Sequence, residues 1–376
     1  MVIGYDAKRA YRNNSGLGNY SRMVIGGVAD AGVARCLLYT PSLQGRHEHY
    51  FDSRPDVSSR LPQGMWRCAK GLWRSFAIGR AAGRDGVQLF HGLSHELPYG
   101  LPATVKKVVT MHDLIVLRYP EFFHPVDRLI HRWKMRHACR LADIVVAISL
   151  QTKRDLVEMM HVPEDKIRVV YQSCDPIFWE ENTAAQGDFD ALKAKYNLPD
   201  KYILSVGTVE ERKNQATAVR ALSLLPDELC LVIVGRPRGS YPQQVRHIAQ
   251  QCRVGHRVLF LENASFRDFP ALYRHAVASV YMSLFEGFGI PVLESLCSDC
   301  PVVTSNLSSM PEAGGDAALY AEPGDYRTLA ALLSRLLSDP VFRSSQIEKG
   351  RTQRLKFAPE KVSRDMLALY RSLLHD

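Results

Sequence analysis

Two glutamates, Glu286 and Glu294, stand with seven residues between them in Tyr281–Asp299, YMSLFEGFGIPVLESLCSD. An apolar run from Ala278 to Leu284 ends in Phe285-Glu286-Gly287-Phe288-Gly289, and a helical pattern opens at Pro291. The order is strand, glycine-rich turn, helix, with proline at the first helical position, where its missing N–H is no loss. Carboxylates beside a helix N-terminus, whose free amides carry partial positive charge, frame a site for a phosphate or a polar ligand. The glycines allow the backbone to approach that ligand closely. An ordinary strand-to-helix turn with solvated glutamates fits the same letters, so spacing alone leaves both readings open.

Three further strand ends carry candidate chemistry. After the first strand, Asn13–Tyr20 (NNSGLGNY) places Gly16-x-Gly18 at a helix start, where backbone N–H groups can face a diphosphate. The third glycine of a full dinucleotide fingerprint is missing. Thr110-Met111-His112-Asp113 ends another strand, with His112 either a structural histidine or a polar group facing the ligand. Ser205–Asn214 (SVGTVEERKN) sets Gly207 in the turn and Arg212 beside Lys213 before a helix. A guanidinium fork and a compact ammonium together neutralise a departing diphosphate. The alternative is a solvated pair screened by Glu210 and Glu211.

Two other patterns are set aside. Asp188-Phe189-Asp190 has a metal-binding look but lies in a polar stretch rather than at a strand end, so no metal is expected. Cys297 and Cys300 have zinc or redox spacing without a second pair and read as structural thiols.

The elements that must position these residues alternate. Strands are predicted at Val2–Asp6, Ala34–Thr40, Val87–His91, Lys107–His112, Ile144–Ile148 and Ile167–Gln172, several as continuous apolar runs suited to a parallel sheet. Helices are predicted at Leu17–Ala31, Pro125–Arg140 and Leu150–Met160, the last capped by Ser149. A polar segment, Glu180–Lys193, reads as a connection, and the alternation restarts from Tyr202. Strands follow at Tyr202–Val206, Leu229–Val234, Val258–Leu261, Ala278–Met282, Val302–Ser305 and Ala318–Tyr320. The fold class is therefore α/β, two doubly wound parallel-sheet domains whose strand ends face an interdomain cleft. The expected domains are 1–180 and 196–357, joined by a connector over 181–195. A final helix over 358–376 is free to pack back on the first domain.

At 376 residues, with 46% hydrophobic and 23% charged residues, the chain has an ordinary globular balance. It opens directly on a strand, and no apolar run is long enough to span a bilayer. Eight scattered cysteines suit a cytoplasmic setting. The net charge of +9 is concentrated in residues 1–180, with 25 Lys+Arg against 17 Asp+Glu. Its densest stretches are Arg60–Arg84 and Arg128–Arg140, which interleave base with aromatic or aliphatic residues. In the first, Trp66, Trp73 and Phe76 lie near Arg67, Lys70, Arg74 and Arg80. That composition suits either an interfacial helix on an anionic membrane or a helix packing its aromatics inward behind a basic face. No nucleic-acid module accompanies the charge, so nucleic acid is not an expected partner.

Taken together, these stretches resemble a retaining glycosyltransferase of family four, with the GT-B double-Rossmann fold. Glu286-Gly-Phe-Gly-Ile-Pro-Val-Leu-Glu294 matches that family's Glu-x7-Glu signature. With it go SVGTVEERKN, Met111–Pro120 (MHDLIVLRYP), IVVAIS before a helix, and Pro301–Asp325. The resemblance implies that Arg212 and Lys213 hold the nucleotide diphosphate and stabilise the leaving group. It gives Glu294 the donor ribose, and gives Glu286, with the amides of Phe288, Gly289 and Ile290, the hydroxyls of the donor sugar. His112 is assigned to the sugar near its reacting face, and the Gly16–Gly18 loop to the phosphates and acceptor. One position departs from the family, which commonly has arginine where this chain has Thr208.

The implied activity is transfer of a hexose from a nucleotide-diphosphate sugar to a hydroxyl of a lipid-linked or polysaccharide acceptor. It proceeds without metal or cofactor, at the inner face of the cell membrane. The runs SVGTVEERKN and SSMPEAGGDAALY are most similar to mannosyl- and deoxyhexosyltransferases, which points to GDP-mannose. The nucleobase is expected near Arg236-Pro237 and Glu262-Asn263. A UDP-sugar 2-epimerase of the same fold and a non-catalytic sugar-nucleotide-binding protein remain the alternatives.

Overall fold

Continuous apolar strands need both faces covered, and the chain meets this need twice. The structure is a computed structural model and describes residues 1–13, 16–180 and 186–375. One unit comprises Met1–Cys174 with Phe357–Asp376, the other Asp175–Lys356. Asn14, Ser15 and the connector's residues 181–185 lie outside the described residues.

The first unit holds β1 (Val2–Asp6), β2 (Arg35–Tyr39), β3 (Val57–Arg60), β4 (Leu89–Gly92), β5 (Lys106–Met111), β6 (Ile144–Ala147) and β7 (Ile167–Val169). All pair in parallel, in the order β3-β2-β1-β4-β5-β6-β7. The order reverses between β1 and β4, so their carboxyl ends open a crevice that crossing connections leave free. Edge strand β3 (VSSR) is half-buried throughout, and its polar letters give no strand signal.

The second unit holds β8 (Lys201–Val206), β9 (Leu229–Val234), β10 (Val258–Leu261), β11 (Ala278–Tyr281), β12 (Val302–Ser305) and β13 (Ala318–Ala321). They too are parallel, ordered β10-β9-β8-β11-β12-β13, with the reversal between β8 and β11. Its core takes Ile203, Leu231, Ile233, Val280 and Val303 from the strands, and Val219, Leu222, Leu329 and Leu333 from the helices against them. Within the polar stretch expected as a connection, a helix runs from Gln186 to Tyr196. Phe189 stacks on His275 with ring centroids 3.7 Å apart, and Leu192 is buried. Such tertiary contacts override a weak local pattern. Asp188–Asp190 thus falls on this helix.

The last helix, Pro359–His375, belongs to the first unit and packs on the helix Gly16–Asp30. Tyr370 on it shares a 2.6 Å hydrogen bond with His91 Nδ1 in β4. His91 Nε2 meets Thr110 Oγ1 at 2.8 Å, and Tyr20 OH reaches the same hydroxyl at 2.9 Å. A chain of buried polar groups thereby ties the C-terminal helix to the end of β5, where His112 follows.

The helix Gly16–Asp30 is held to the preceding turn by buried Arg22, which donates to the carbonyls of Ala10 and Asn13 at 2.9 and 3.0 Å. A Cβ on Gly18 would lie 2.0 Å from the Asn13 carbonyl oxygen, whereas one on Gly16 would meet open space. Gly18 is therefore fixed by packing. Gly18→Ala is expected to destabilise the chain by about 1–3 kcal/mol, with Gly16→Ala within about 1 kcal/mol of the parent. Chemical denaturation of both variants checks this.

Candidate functional site

At the β8/β11 reversal, two loops bring two of the sequence-assigned residues, Arg212 and Lys213, onto one oxygen of a third, Glu286. After β8, the Gly207 N–H donates to the Val234 carbonyl at 2.9 Å, and the chain continues into a tight turn over Glu211–Lys213. After β11 it passes Ser283 and Phe285 to Glu286. The Glu286 Oε1 atom accepts from Lys213 Nζ at 2.5 Å, Arg212 Nη1 at 2.6 Å, Ser283 Oγ at 2.6 Å and Tyr281 OH at 2.8 Å.

The backbone is locked as firmly as the side chains. The Arg212 carbonyl accepts from Leu284 N, and the Arg212 guanidinium donates back to the Phe285 carbonyl at 2.8 Å. Asn214 donates to the carbonyls of Met282 and Pro323. Ser308 and Ser309 hydroxyls donate to the Glu286 carbonyl, and Glu286 N–H donates to Ser308 Oγ. This rigid frame fixes the carboxylate against its cations.

The electrostatics follow from burial. The Glu286 side chain is 13% exposed, and burial alone would raise its pKa. The Lys213 and Arg212 charges, with hydrogen bonds from Lys213 and Ser283, outweigh that and hold it at about 2. Burial pushes the Lys213 ammonium down, opposed by Glu286 and reinforced by Arg212. The Arg212 guanidinium loses solvation too, but Glu286 and Glu210 more than compensate. Glu210 accepts from Arg212 at 2.8 Å and from Arg238 at 2.9 Å, so part of the expected screening by acids is present.

Glu294 has the opposite surroundings. It is 6% exposed on the helix Ile290–Cys297, and Tyr273 OH donates to it at 3.2 Å. Burial raises its pKa to about 7, which the Tyr273 hydrogen bond lowers only in part; Asp175 adds to the rise and Lys213 opposes it. Gly289 caps this helix with φ +98°, a conformation that favours glycine. Ile290 begins the helix, whose first N–H groups have no intrahelical acceptor. Phe288 is fully buried, so its ring serves the core and only its backbone borders the helix mouth.

In the first unit, His112 is 4% exposed. Its Nε2 lies 2.9 Å from the Leu93 carbonyl, which can only accept, so the ring proton sits on Nε2 and Nδ1 keeps its lone pair. Burial, with His95 adding, pushes its pKa down to about 3, so the ring is neutral near pH 7. Tyr20, from the helix that Gly16 and Gly18 open, stands edge-on to it at 4.7 Å. In the expected nucleobase segments, Val209 N–H donates to the Arg236 carbonyl at 2.9 Å, and Glu262 pairs with Arg246 at 3.4 Å.

Comparison with known proteins agrees with this architecture. Residues 14–177 match the model of glycosyltransferase family 4, and residues 188–353 that of glycosyl transferases group 1. The chain belongs to the family-4 glycosyltransferases. It is 29% identical over 290 residues to O-antigen chain mannosyltransferase B of Escherichia coli, covering 76% of this chain and 74% of that one. To O-antigen chain mannosyltransferase RfbU of Salmonella typhimurium it is 27% identical over 245 residues, 65% of each. A sucrose-phosphate synthase from Thermosynechococcus elongatus superposes with a TM-score of 0.77 at 19% identity, covering 100% of this chain and 99% of that one. The fold is GT-B.

For a family-4 glycosyltransferase, fixed cations beside an amide-lined helix mouth suit a negatively charged leaving group. Sequence reasoning did not single out Tyr281, Ser283, Ser308, Ser309 or Tyr273 as partners of the two glutamates. Only Ser283, three residues before Glu286, lies close enough in sequence to have been suspected.

Two stability measurements test this electrostatic frame. Glu286→Ala leaves Lys213 without its carboxylate and is expected to cost on the order of 3 kcal/mol, read by denaturant melts. Because the Glu294 pKa is raised in the folded state, its stabilising effect is present below its unfolded value, near 4.5, and lost as pH rises through about 7. Glu294→Gln is therefore expected to raise Tm at pH 8 but not at pH 5; an equal change at both would contradict the assignment.

Proposed function

We propose that the chain transfers mannose from GDP-mannose to a hydroxyl of a lipid-linked or polysaccharide acceptor, with retention of configuration and without a metal ion. The setting in this reading is bacterial O-antigen assembly at the inner face of the cell membrane. The observation that carries the reading is the convergence of Arg212 and Lys213 on Glu286 beside the helix mouth. The mannosyltransferases among its relatives support the choice of sugar.

Glu286 pairs with both cations, and Glu210 shares Arg212. A donor diphosphate takes over Arg212 and Lys213 and frees the carboxylate to accept from hydroxyls of the donor sugar. Gly289 and Ile290 amides add donors at the helix mouth, Phe288 shapes it, and Gly207 leaves room beside Lys213. Glu294 accepts from the ribose. His112, as a neutral imidazole, is assigned to the sugar near its reacting face, and the Gly16–Gly18 turn to the phosphates and acceptor.

In the step itself the bond from the anomeric carbon to the phosphate oxygen breaks, and a bond to the acceptor oxygen forms on the same face. The acceptor proton passes to the leaving phosphate. Arg212 and Lys213 stabilise the negative charge that develops there, the task a divalent cation performs in other transferases.

A thermal-shift panel of GDP, UDP, ADP and TDP tests the donor: GDP is expected to raise Tm most, and stabilisation by UDP alone would refute the mannose assignment. With radiolabelled GDP-mannose, transfer is expected to survive chelation by EDTA. Lys213→Ala is expected to lower kcat by roughly a hundredfold or more, as for loss of one charge-stabilising donor.

A further inference from the structure

Two basic segments of the first unit, outside the residues assigned to transfer, meet around Tyr99. The segment 64–84 reaches it through Phe76, stacked on Tyr99 at 5.2 Å. The helix Pro125–Leu141 reaches it through His137, stacked at 4.1 Å, and Trp133 at 6.1 Å. Beneath them Glu96 takes Arg74 from the first segment at 2.7 Å and Lys134 from the helix at 3.1 Å. The two segments therefore form one continuous face.

That face is apolar where a water-facing helix should be polar. Val126, Leu129, Ile130 and Trp133 recur at the spacing of an inward stripe, yet they are 57%, 70%, 45% and 58% exposed. The opposite side of the same helix, with Met135, Ala138 and Cys139, already fills the core. Met65, Leu72 and Phe76 are also exposed on the first segment, at 83%, 58% and 51%.

Cations surround these side chains. Arg67, Lys70, Arg80 and Arg84 are exposed, with no carboxylate partner among the described residues. Arg128, Arg132, Arg136 and Arg140 on the helix likewise have none there. No acid occurs between Arg60 and Arg84, and within the helix Asp127 stands against five cations. A groove of about 980 Å³ opens on this face, walled by Trp66, Phe76 and Tyr99 and rimmed by Arg80 and Arg84.

The structure also separates dockers from anchors. Trp73 is buried, and Arg74 is held by Asp6 and Glu96, both at 2.7 Å, so neither belongs to the outward face the sequence suggested. The segment is broken into short turns, and the regular amphipathic element is the helix Pro125–Leu141.

We propose that this face docks the chain on an anionic phospholipid bilayer, with Leu129 and Trp133 entering the acyl boundary and the flanking arginines binding lipid phosphates. Exposed aliphatic side chains among unpaired cations fit an interface that is apolar within and negative at its surface. A nucleic acid would use the charge and leave the aliphatic stripe in water. The inference takes up the membrane-side setting of the proposed reaction but is read without donor or acceptor.

The test is co-sedimentation of the full chain with vesicles of phosphatidylcholine, with and without phosphatidylglycerol. Binding is expected only to the anionic vesicles and is expected to weaken in high salt. Arg128→Glu with Arg132→Glu is expected to lower partitioning roughly tenfold or more, and Leu129→Asp with Trp133→Asp to abolish it, with circular dichroism unchanged. Equal binding to neutral vesicles, or parental binding by either double variant, would overturn the proposal. So would a dimer that the Leu129/Trp133 variant dissolves in a chain that ignores vesicles, which would assign the face to a second copy. A chain that binds vesicles but transfers no sugar overturns the proposed reaction and leaves this inference standing.

Discussion

A single carboxylate oxygen organises the second unit. Glu286 Oε1 gathers two cations and two hydroxyls inside a nearly closed site, the cations from the turn after β8 and the hydroxyls from the end of β11. Buried ions are tolerated only when paired and hydrogen-bonded, so the turn after β8, the strand end of β11 and the loop after β12 must all hold their places. The serine and threonine hydroxyls along β12 serve this requirement. Thr304 and Ser305 bind the carbonyls of Tyr281 and Ser283, and Ser308 and Ser309 continue the clamp at Glu286.

The reversal of strand order explains why the site is there. Between β8 and β11 the connections leave in opposite directions, so the carboxyl ends of both strands open into the same crevice. The first unit repeats this geometry between β1 and β4, with His112 one strand further along. Parallel sheets thus create the crevice by topology, and the sequence has only to place charge and amides at the strand ends.

Much of this was legible because buried parallel strands are written in apolar runs. Leu229–Val234 and Ile144–Ala147 could scarcely be read otherwise. The edge strand Val57–Arg60 was not legible, because a half-exposed edge needs no apolar run. The helix Gln186–Tyr196 was missed since its reason for forming, Phe189 on His275, is a contact across more than eighty residues. At the site, Arg212, Lys213, Glu286 and Glu294 could be picked out by type and place. The convergence of Arg212 and Lys213 on one oxygen of Glu286 could not, nor could the tie from Tyr370 to His91 across 279 residues. In the basic segment, periodicity did not tell the buried Trp73 from the exposed Phe76.

The two glutamates carry a further lesson, because burial alone does not decide their charge. Both lie in the same unit and both lose most of their hydration, yet one is held at about 2 and the other raised to about 7. The difference lies in their partners. Glu286 faces two cations at hydrogen-bond distance, whereas Glu294 faces one tyrosine hydroxyl and feels Lys213 only weakly. A diphosphate that took over Lys213 would remove the cation from both at once. With Arg212 taken over as well, Glu286 would then keep only its two hydroxyl donors, Ser283 and Tyr281, and Glu294 would lose its weak stabilisation by Lys213. A ligand with phosphates but no hydroxyls would leave Glu286 with the Ser283 and Tyr281 hydroxyls and Glu294 with the Tyr273 hydroxyl, and no cation beside either. The electrostatics of the site thus favour a ligand that brings anionic groups to the cations and hydrogen-bond donors to the carboxylates together.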